Sequence, residues 1–318
     1  MTGAFGNVGR NTLPQLVERG HRVRALSYDW PRDRKIARAF GSSIEVVRGD
    51  VRDRATMARA LRDITTVVHL AFVIPPGALA QPAIAESVNV GGTRTVLEAA
   101  SAATAPPRVL FASTLDVYGH TAHLPPPRRV GDPLNGTDAY GLHKIACEEL
   151  VRNSGLRAAI FRFADVPPIE VRTPHPIMFS ISLATRIEAI HPRDAGLAIT
   201  NALETDSVWG RTLNIGGGAT CQVTYGDYLG AFLDAMGIGR LPPEAFSHEP
   251  YCTDWLDTDE SQRALRYQQH SFDDIVRETA ALLGWRAPLA RMARPLVRAA
   301  ILRLSPAWRA RARAQKTD

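Results

Sequence analysis

The sequence predicts an α/β protein, a doubly wound parallel sheet with a smaller C-terminal α/β unit. Three observations carry that prediction. The chain opens on Thr2-Gly3-Ala4-Phe5-Gly6-Asn7-Val8-Gly9, with the Gly-x-x-Gly-x-x-Gly spacing of a turn that cradles phosphate ahead of a helix. Short apolar runs then alternate with helix-length segments as far as Phe163, the pattern of parallel strands joined by helical crossovers. Within that pattern Thr66 to Ala71 is apolar almost throughout, as a strand buried on both faces must be.

The elements follow in order. Asn11 to Gly20 reads as the first helix, with Pro14 near its first turn and Gly20 at its end. The strand that such a glycine turn normally follows is missing. Met1 stands where its last residue belongs, which would leave the strands on either side unpaired. Arg greatly outnumbers Lys, of which there are only Lys35, Lys144 and Lys316, so a GC-rich genome is implied. The expectation is a start site placed too late, with a short Val/Ile-rich stretch encoded upstream. His21 to Ser27, Ile44 to Arg48, Thr66 to Ala71, Arg108 to Thr114, Leu156 to Phe163 and Thr212 to Ile215 read as strands. Ala55 to Leu61, a segment ending near Arg152, Tyr225 to Met236 and Phe272 to Leu283 read as helices, and Gly216-Gly217-Gly218 as a turn.

Asp138-Ala139-Tyr140-Gly141-Leu142-His143-Lys144 carries the chemistry. A tyrosine and a lysine four positions apart at the start of a helix share one face. An ammonium beside a phenol favours the phenolate and lowers its pKa from about 10, as a general acid–base near neutral pH requires. The spacing alone also fits a solvated helix face, so the upstream Ser113-Thr114 followed by Val117-Tyr118-Gly119 matters.

With Gly49-Asp50-Val51, Val88-Asn89-Val90-Gly91-Gly92-Thr93 and His191-Pro192-Arg193-Asp194-Ala195, the set resembles the extended short-chain dehydrogenase/reductase family, the NAD(P)-dependent epimerases, dehydratases and related reductases, over roughly residues 1 to 285. The resemblance implies a Rossmann-type NAD(P)-binding domain over 1–164 and about 186–217 and a substrate domain over 165–185 and 218–285. It implies Thr114, Tyr140 and Lys144 as the catalytic set, with Ser113 structural. Cofactor contacts are implied at Gly3, Phe5, Gly6, Asn7, Val8 and Gly9, then at Ser27, Arg32, Asp50, Val51, Ala71, Phe72, Asn89 and Phe163, with Tyr140 and Lys144 reaching the nicotinamide ribose. Ser27 stands where the family has an acid for the adenosine ribose, and Arg32, Arg34 and Lys35 lie close by. That leans toward NADP, whereas Asp29 reaching the ribose would favour NAD.

The implied reaction is hydride transfer at a secondary alcohol or carbonyl of a sugar, nucleotide-sugar or steroid-like molecule, with epimerase and dehydrogenase left open. Leu115-Asp116 replaces the Asp-Glu pair of the sugar dehydratases, which disfavours dehydration. The rival from another class is a non-catalytic NAD(P)-binding regulator. His69, His191 and Asp194 read as structural, and no metal constellation is expected.

Composition bounds the rest. A chain of 318 residues, 45% hydrophobic, has room for a cofactor domain and a substrate domain. Cys147, Cys221 and Cys252 are too scattered for a disulfide framework or a zinc site, and no leader or spanning stretch is read, so a cytoplasmic homodimer is expected. Residues 286–318 hold eight Arg and one Lys against Asp318 alone, a net +8 that leaves −2 on residues 1–285. The body therefore is no nucleic-acid binder. The tail places Leu289, Met292, Leu296, Val297, Ile301 and Trp308 at helical spacings among arginines, which fits either a helix docked on its own body or a partner copy, or peripheral contact with anionic lipid.

Overall fold

The computed structural model describes residues 1–314, so residues 315–318 at the end of the tail, Lys316 and Asp318 included, lie outside the described part. Strands β1 (Val23–Ser27) and β2 (Ile44–Arg48) pair in parallel, and so do β3 (Thr66–His69), β4 (Arg108–Thr114), β5 (Ala158–Phe163) and β7 (Thr212–Ile215), in the order β3-β4-β5-β7. Thr2 joins the two blocks through parallel bridges to Leu26 and His69. Its N–H donates to Val68 at 3.0 Å, and Leu26 donates to the Met1 carbonyl at 2.8 Å. Met1 and Thr2 thus link the two blocks, the amino group of Met1 also donating to the Arg24 carbonyl at 2.7 Å, just before the glycine turn.

The pleat sorts each strand's side chains onto two helical layers. Val67, Val109, Phe111 and Ile160 pack under Arg54–Ala60, Gly92–Ser101 and Ala139–Arg152. Val68, Leu110, Phe161 and Leu213 face the other way, toward Pro192–Glu204. This is a doubly wound parallel sheet, as the sequence predicts.

Strands β6 (Arg186–Glu188) and β8 (Gln222–Thr224) form a separate antiparallel pair. Around it Phe179, Ile187, Tyr225, Tyr228, Phe246, Phe272 and Ile275 make a second core. Close to the boundary expected at about residue 186, Ile187 and Ala189 pack with the second core and Ile190 with the first. Leu256, Leu265 and Tyr267, expected in the substrate domain, also belong to the first core. In the tail, Val297, Ile301, Leu302, Leu304 and Trp308 pack onto the second core. No helix among the described residues is long and apolar enough to cross a membrane.

Candidate active site

The glycine turn is shaped by contacts that exclude side chains. Gly3 has φ +62°, and a Cβ there would lie 2.7 Å from the Ala71 nitrogen; at Gly9 it would lie 2.4 Å from the Ala4 carbonyl. Gly6 is exposed and meets only the Gly3 carbonyl, at 3.3 Å. It caps the helix Asn7–Glu18 without any side-chain bond to the first-turn amides. Such a turn suits an anion at a helix N-terminus, and it fits the pyrophosphate of a dinucleotide. Phe5 is buried in a core cluster and Val8 packs against another, so only their backbone faces the turn. The Asn7 amide donates to the Val166 carbonyl at 2.7 Å, tying the turn to the chain after β5.

Further residues expected at the cofactor divide into two groups. Ala71 donates its N–H to the Thr2 hydroxyl at 3.2 Å and leads directly into Phe72, whose ring meets Tyr140 edge-on at 5.7 Å. Arg32 is exposed in the first turn of the helix Pro31–Phe40, which follows β1. The side chains of the second group are engaged elsewhere. The Ser27 hydroxyl donates to Asp33 at 2.7 Å, and Asp50 pairs with Arg52, which holds its carboxyl below the usual range. Val51 packs against Gly92, and Phe163 is buried against Phe161. Asn89 is fully buried and clamps Val73, accepting from its N–H at 2.7 Å and donating to its carbonyl at 3.0 Å. The side chains of Ser27, Asp50 and Asn89 are thus engaged within the protein, and Val51 and Phe163 are packed.

Thr114 ends β4, and Asp138 caps the helix Ala139–Arg152 by accepting from Gly141 at 2.7 Å. Strand end and helix start together bring Thr114, Tyr140 and Lys144 into one place. Lys144 is 4% exposed, donates to the Ala112 carbonyl, and lies 3.6 Å over the Phe72 ring and 5.8 Å from the Tyr140 centroid. Burial lowers its pKa to about 7. Lys144 is not among the groups that act most on the Tyr140 phenol in this chain. Burial pushes the phenol well above its ordinary value, Asp116 adds to the rise, and the Thr114 hydroxyl opposes it.

Asp116 is the residue that sequence reasoning undervalued. Its carboxyl is bonded by Thr114 and is raised to about 7 by burial and by repulsion from Asp138 and Asp165. The substitution at Leu115-Asp116 therefore keeps a titratable acid beside the phenol. Asp165, which accepts from Tyr228 at 2.9 Å, and Cys252, whose thiol burial pushes up to about 12, act on the same group of charges. Their remoteness in the chain left no sequence signal, whereas Asp116 follows Thr114 by two positions.

Ser113 is structural, donating to Glu148 at 2.5 Å. His69 is buried, bridges Thr2 at 2.7 Å and Thr93 at 3.0 Å, and burial lowers its pKa to about 3, so it stays neutral. His191 caps the helix Pro192–Glu204, and Asp194 accepts from the N–H groups of Gln269 and His270 at 2.9 Å. The fold also gathers His191, His270 and Glu278 with their ligand atoms within 4.8 Å, a grouping the sequence did not show. Arg193 donates to both His270 and Glu278, and His191 pairs with Glu278 at 3.3 Å.

A doubly wound sheet, a glycine turn at its carboxyl edge and a Thr–Tyr–Lys group beside it define an NAD(P)-dependent enzyme of the extended short-chain dehydrogenase/reductase type. The chain belongs to the NAD dependent epimerase/dehydratase family, whose profile matches residues 1–167. It is 30% identical over 200 residues to D-erythronate dehydrogenase of Cupriavidus necator, spanning 59% of this chain and only 60% of that protein's length. It is 28% identical over 292 residues to dTDP-glucose 4,6-dehydratase of Mycolicibacterium smegmatis, covering 84% of this chain and 82% of the relative. Among solved structures it is similar in fold to the dTDP-glucose 4,6-dehydratase DesIV from Streptomyces venezuelae with NAD and TYD bound, with a TM-score of 0.76, 24% identity and coverage of 91% and 97%. It is also similar to UDP-glucuronic acid 4-epimerase from Bacillus cereus, with a TM-score of 0.74, 19% identity and coverage of 90% and 98%.

Proposed function

We propose that this chain oxidises a secondary alcohol, or reduces the matching carbonyl, on a sugar or nucleotide-sugar, using Thr114, Tyr140 and Lys144. The observation that carries this reading is the convergence of those three residues beside Phe72 and the glycine turn. NAD(P) would be held by the turn Gly3–Gly9 and by the Ala71-Phe72 backbone, and when bound it supplies a hydride acceptor or donor. Oxidation takes the hydroxyl proton to Tyr140 as the carbon loses its hydride and the C=O bond forms; reduction runs the same steps backward. Thr114 donates to the developing oxygen, and Lys144 fixes the ribose and stabilises the phenolate in oxidation. A phenol raised by burial keeps its proton, which suits the reducing direction.

Asp29, two residues past β1, is held between Arg34 at 2.6 Å and Arg48 at 3.1 Å, so a nucleotide ribose reaching it would meet a carboxylate flanked by two guanidinium groups, and the nucleotide that purifies with the protein decides between NAD and NADP. A second reading, dehydration, draws on Asp116, because an acid beside the phenol can protonate a hydroxyl leaving from the carbon β to the carbonyl as the α carbon between them loses its proton and the C=C bond forms.

The test is to identify the nucleotide that purifies with the protein and to screen secondary alcohols and nucleotide-sugars by nicotinamide absorbance and product analysis. Retained NAD with product but no net absorbance change points to epimerisation, and exchangeable NADP with stoichiometric turnover to a reductase. Tyr140→Phe should lower turnover roughly 10²–10⁴-fold with nucleotide binding little changed. A variant that keeps more than about a tenth of the activity removes Tyr140 from the acid–base role.

A further inference from the structure

The tail has two faces, and docking accounts for only one. Val297, Ile301, Leu302, Leu304 and Trp308 are packed into the second core, and Arg298 donates to the carbonyls of Ile238 and Gly239 at 3.3 and 2.8 Å. The helices Arg286–Met292 and Arg294–Leu302 run almost as one, because Ala293 donates to the Leu289 carbonyl at 2.9 Å and Val297 to that of Ala293 at 3.0 Å. On the outer side Trp285, Leu289, Met292 and Leu296 are 74%, 51%, 82% and 76% exposed. At 100° per residue these four positions fall within about 60° of arc, so they form a single ridge.

Charge decides what can cover that ridge. From 286 to 314 the chain has eight arginines and no acidic residue. Arg286, Arg291, Arg294, Arg303, Arg309 and Arg311 are exposed. Two-fold pairing of the ridge with its copy would set one arginine-rich surface against another with no carboxylate of its own to relieve the repulsion. A nucleic-acid backbone would satisfy the arginines but leave four large apolar side chains in water. An anionic lipid surface satisfies both, since its headgroups pair with guanidinium groups while the ridge, with Trp285 at one end, enters the boundary with the acyl chains.

We propose that the ridge Trp285–Leu289–Met292–Leu296 seats the enzyme peripherally on an anionic membrane surface. The body stays in water, and the docked face of the tail holds the ridge rigidly outward.

The test uses the full chain and vesicles of phosphatidylcholine with and without phosphatidylglycerol. The protein should sediment with the anionic vesicles only, and raised salt should release it. Met292→Glu with Leu296→Glu should weaken that binding roughly tenfold or more. Because both side chains are exposed, the double variant should keep the parent's melting temperature and nucleotide binding. Failure of the parent protein to bind anionic vesicles overturns the proposal, as does binding unaffected by the double substitution. A parent that is dimeric, with a double variant that is monomeric and no vesicle binding by either, assigns the ridge to a second copy instead.

Discussion

Glu148 offers the most demanding test of how the fold supports the site. It is fully buried on the helix Ala139–Arg152, four residues after Lys144, and receives Arg162 from β5 through two bonds of 2.9 and 2.7 Å. Ser113 on β4 donates to it at 2.5 Å and Arg152 at 2.6 Å. Arg162, 2% exposed, also donates to the Tyr118 hydroxyl at 2.9 Å and the Val130 carbonyl at 3.0 Å. This network ties the helix bearing Tyr140 and Lys144 to the strand that ends in Thr114. Glu148→Ala leaves a guanidinium buried without its counter-ion, and breaking such a pair costs about 3–5 kcal/mol. That is a large part of a stability of about 5–15 kcal/mol. Glu148→Leu with Arg162→Met removes both charges, so the double variant should be more stable than Glu148→Ala. Urea unfolding at neutral pH, read as a change in midpoint at constant slope, gives the comparison. Burial pushes the Glu148 carboxyl up, but Arg162, Ser113 and Arg152 outweigh it and hold the folded pKa below 4.5. Its contribution is therefore complete above 4.5 and is lost as pH falls through the folded value. A loss under about 1 kcal/mol for Glu148→Ala, within the range of an exposed pair, would refute this reasoning.

Four further predictions concern the glycine turn, the helix that follows Gly91 and the reacting groups. Gly9→Ala puts a Cβ 2.4 Å from the Ala4 carbonyl and 2.5 Å from that of Gly3, so the turn must open and nucleotide affinity should collapse in a binding titration. Gly91→Ala meets nothing within 4 Å at helical dihedrals, and should stabilise by roughly 0.5–1 kcal/mol in thermal unfolding. Thr114→Val should lose about 2.7–4 kcal/mol of transition-state stabilisation in kcat/KM while Thr114→Ser stays near the parent, and equal behaviour of the two would exclude the hydroxyl. Asp116 titrates at about 7 in the folded chain against 3.8 ordinarily, so its stabilising effect is complete below 3.8 and is lost as pH rises through 7. Turnover that needs its proton should fall across the same range, and Asp116→Asn should remove that limb from the pH profile.

The sequence by itself determined the architecture and the elements that carry the candidate groups. Glycine spacing, strand alternation and the Asp138 cap act over a few residues, so Gly3–Gly9, the strand ending at Thr114 and the helix carrying Tyr140 and Lys144 were legible without tertiary information. Helix Asn7–Glu18 begins earlier than the expected Asn11, because the glycine turn itself forms its first turn. Only the tertiary structure decided which side chains are free and how they are charged. Asn89 and Ser27 sit at expected positions, yet Val73 and Asp33 occupy their polar atoms. The directions at Tyr140, Lys144 and Asp116 follow from burial and from charges as far away in the chain as Asp165. The tail shows the same division: its helical periodicity is written in the sequence, but which of its faces is covered depends on the second core against which Ile301 and Leu302 pack. Periodicity and capping are short-range, whereas desolvation and Coulomb interactions depend on everything the fold brings within several ångströms.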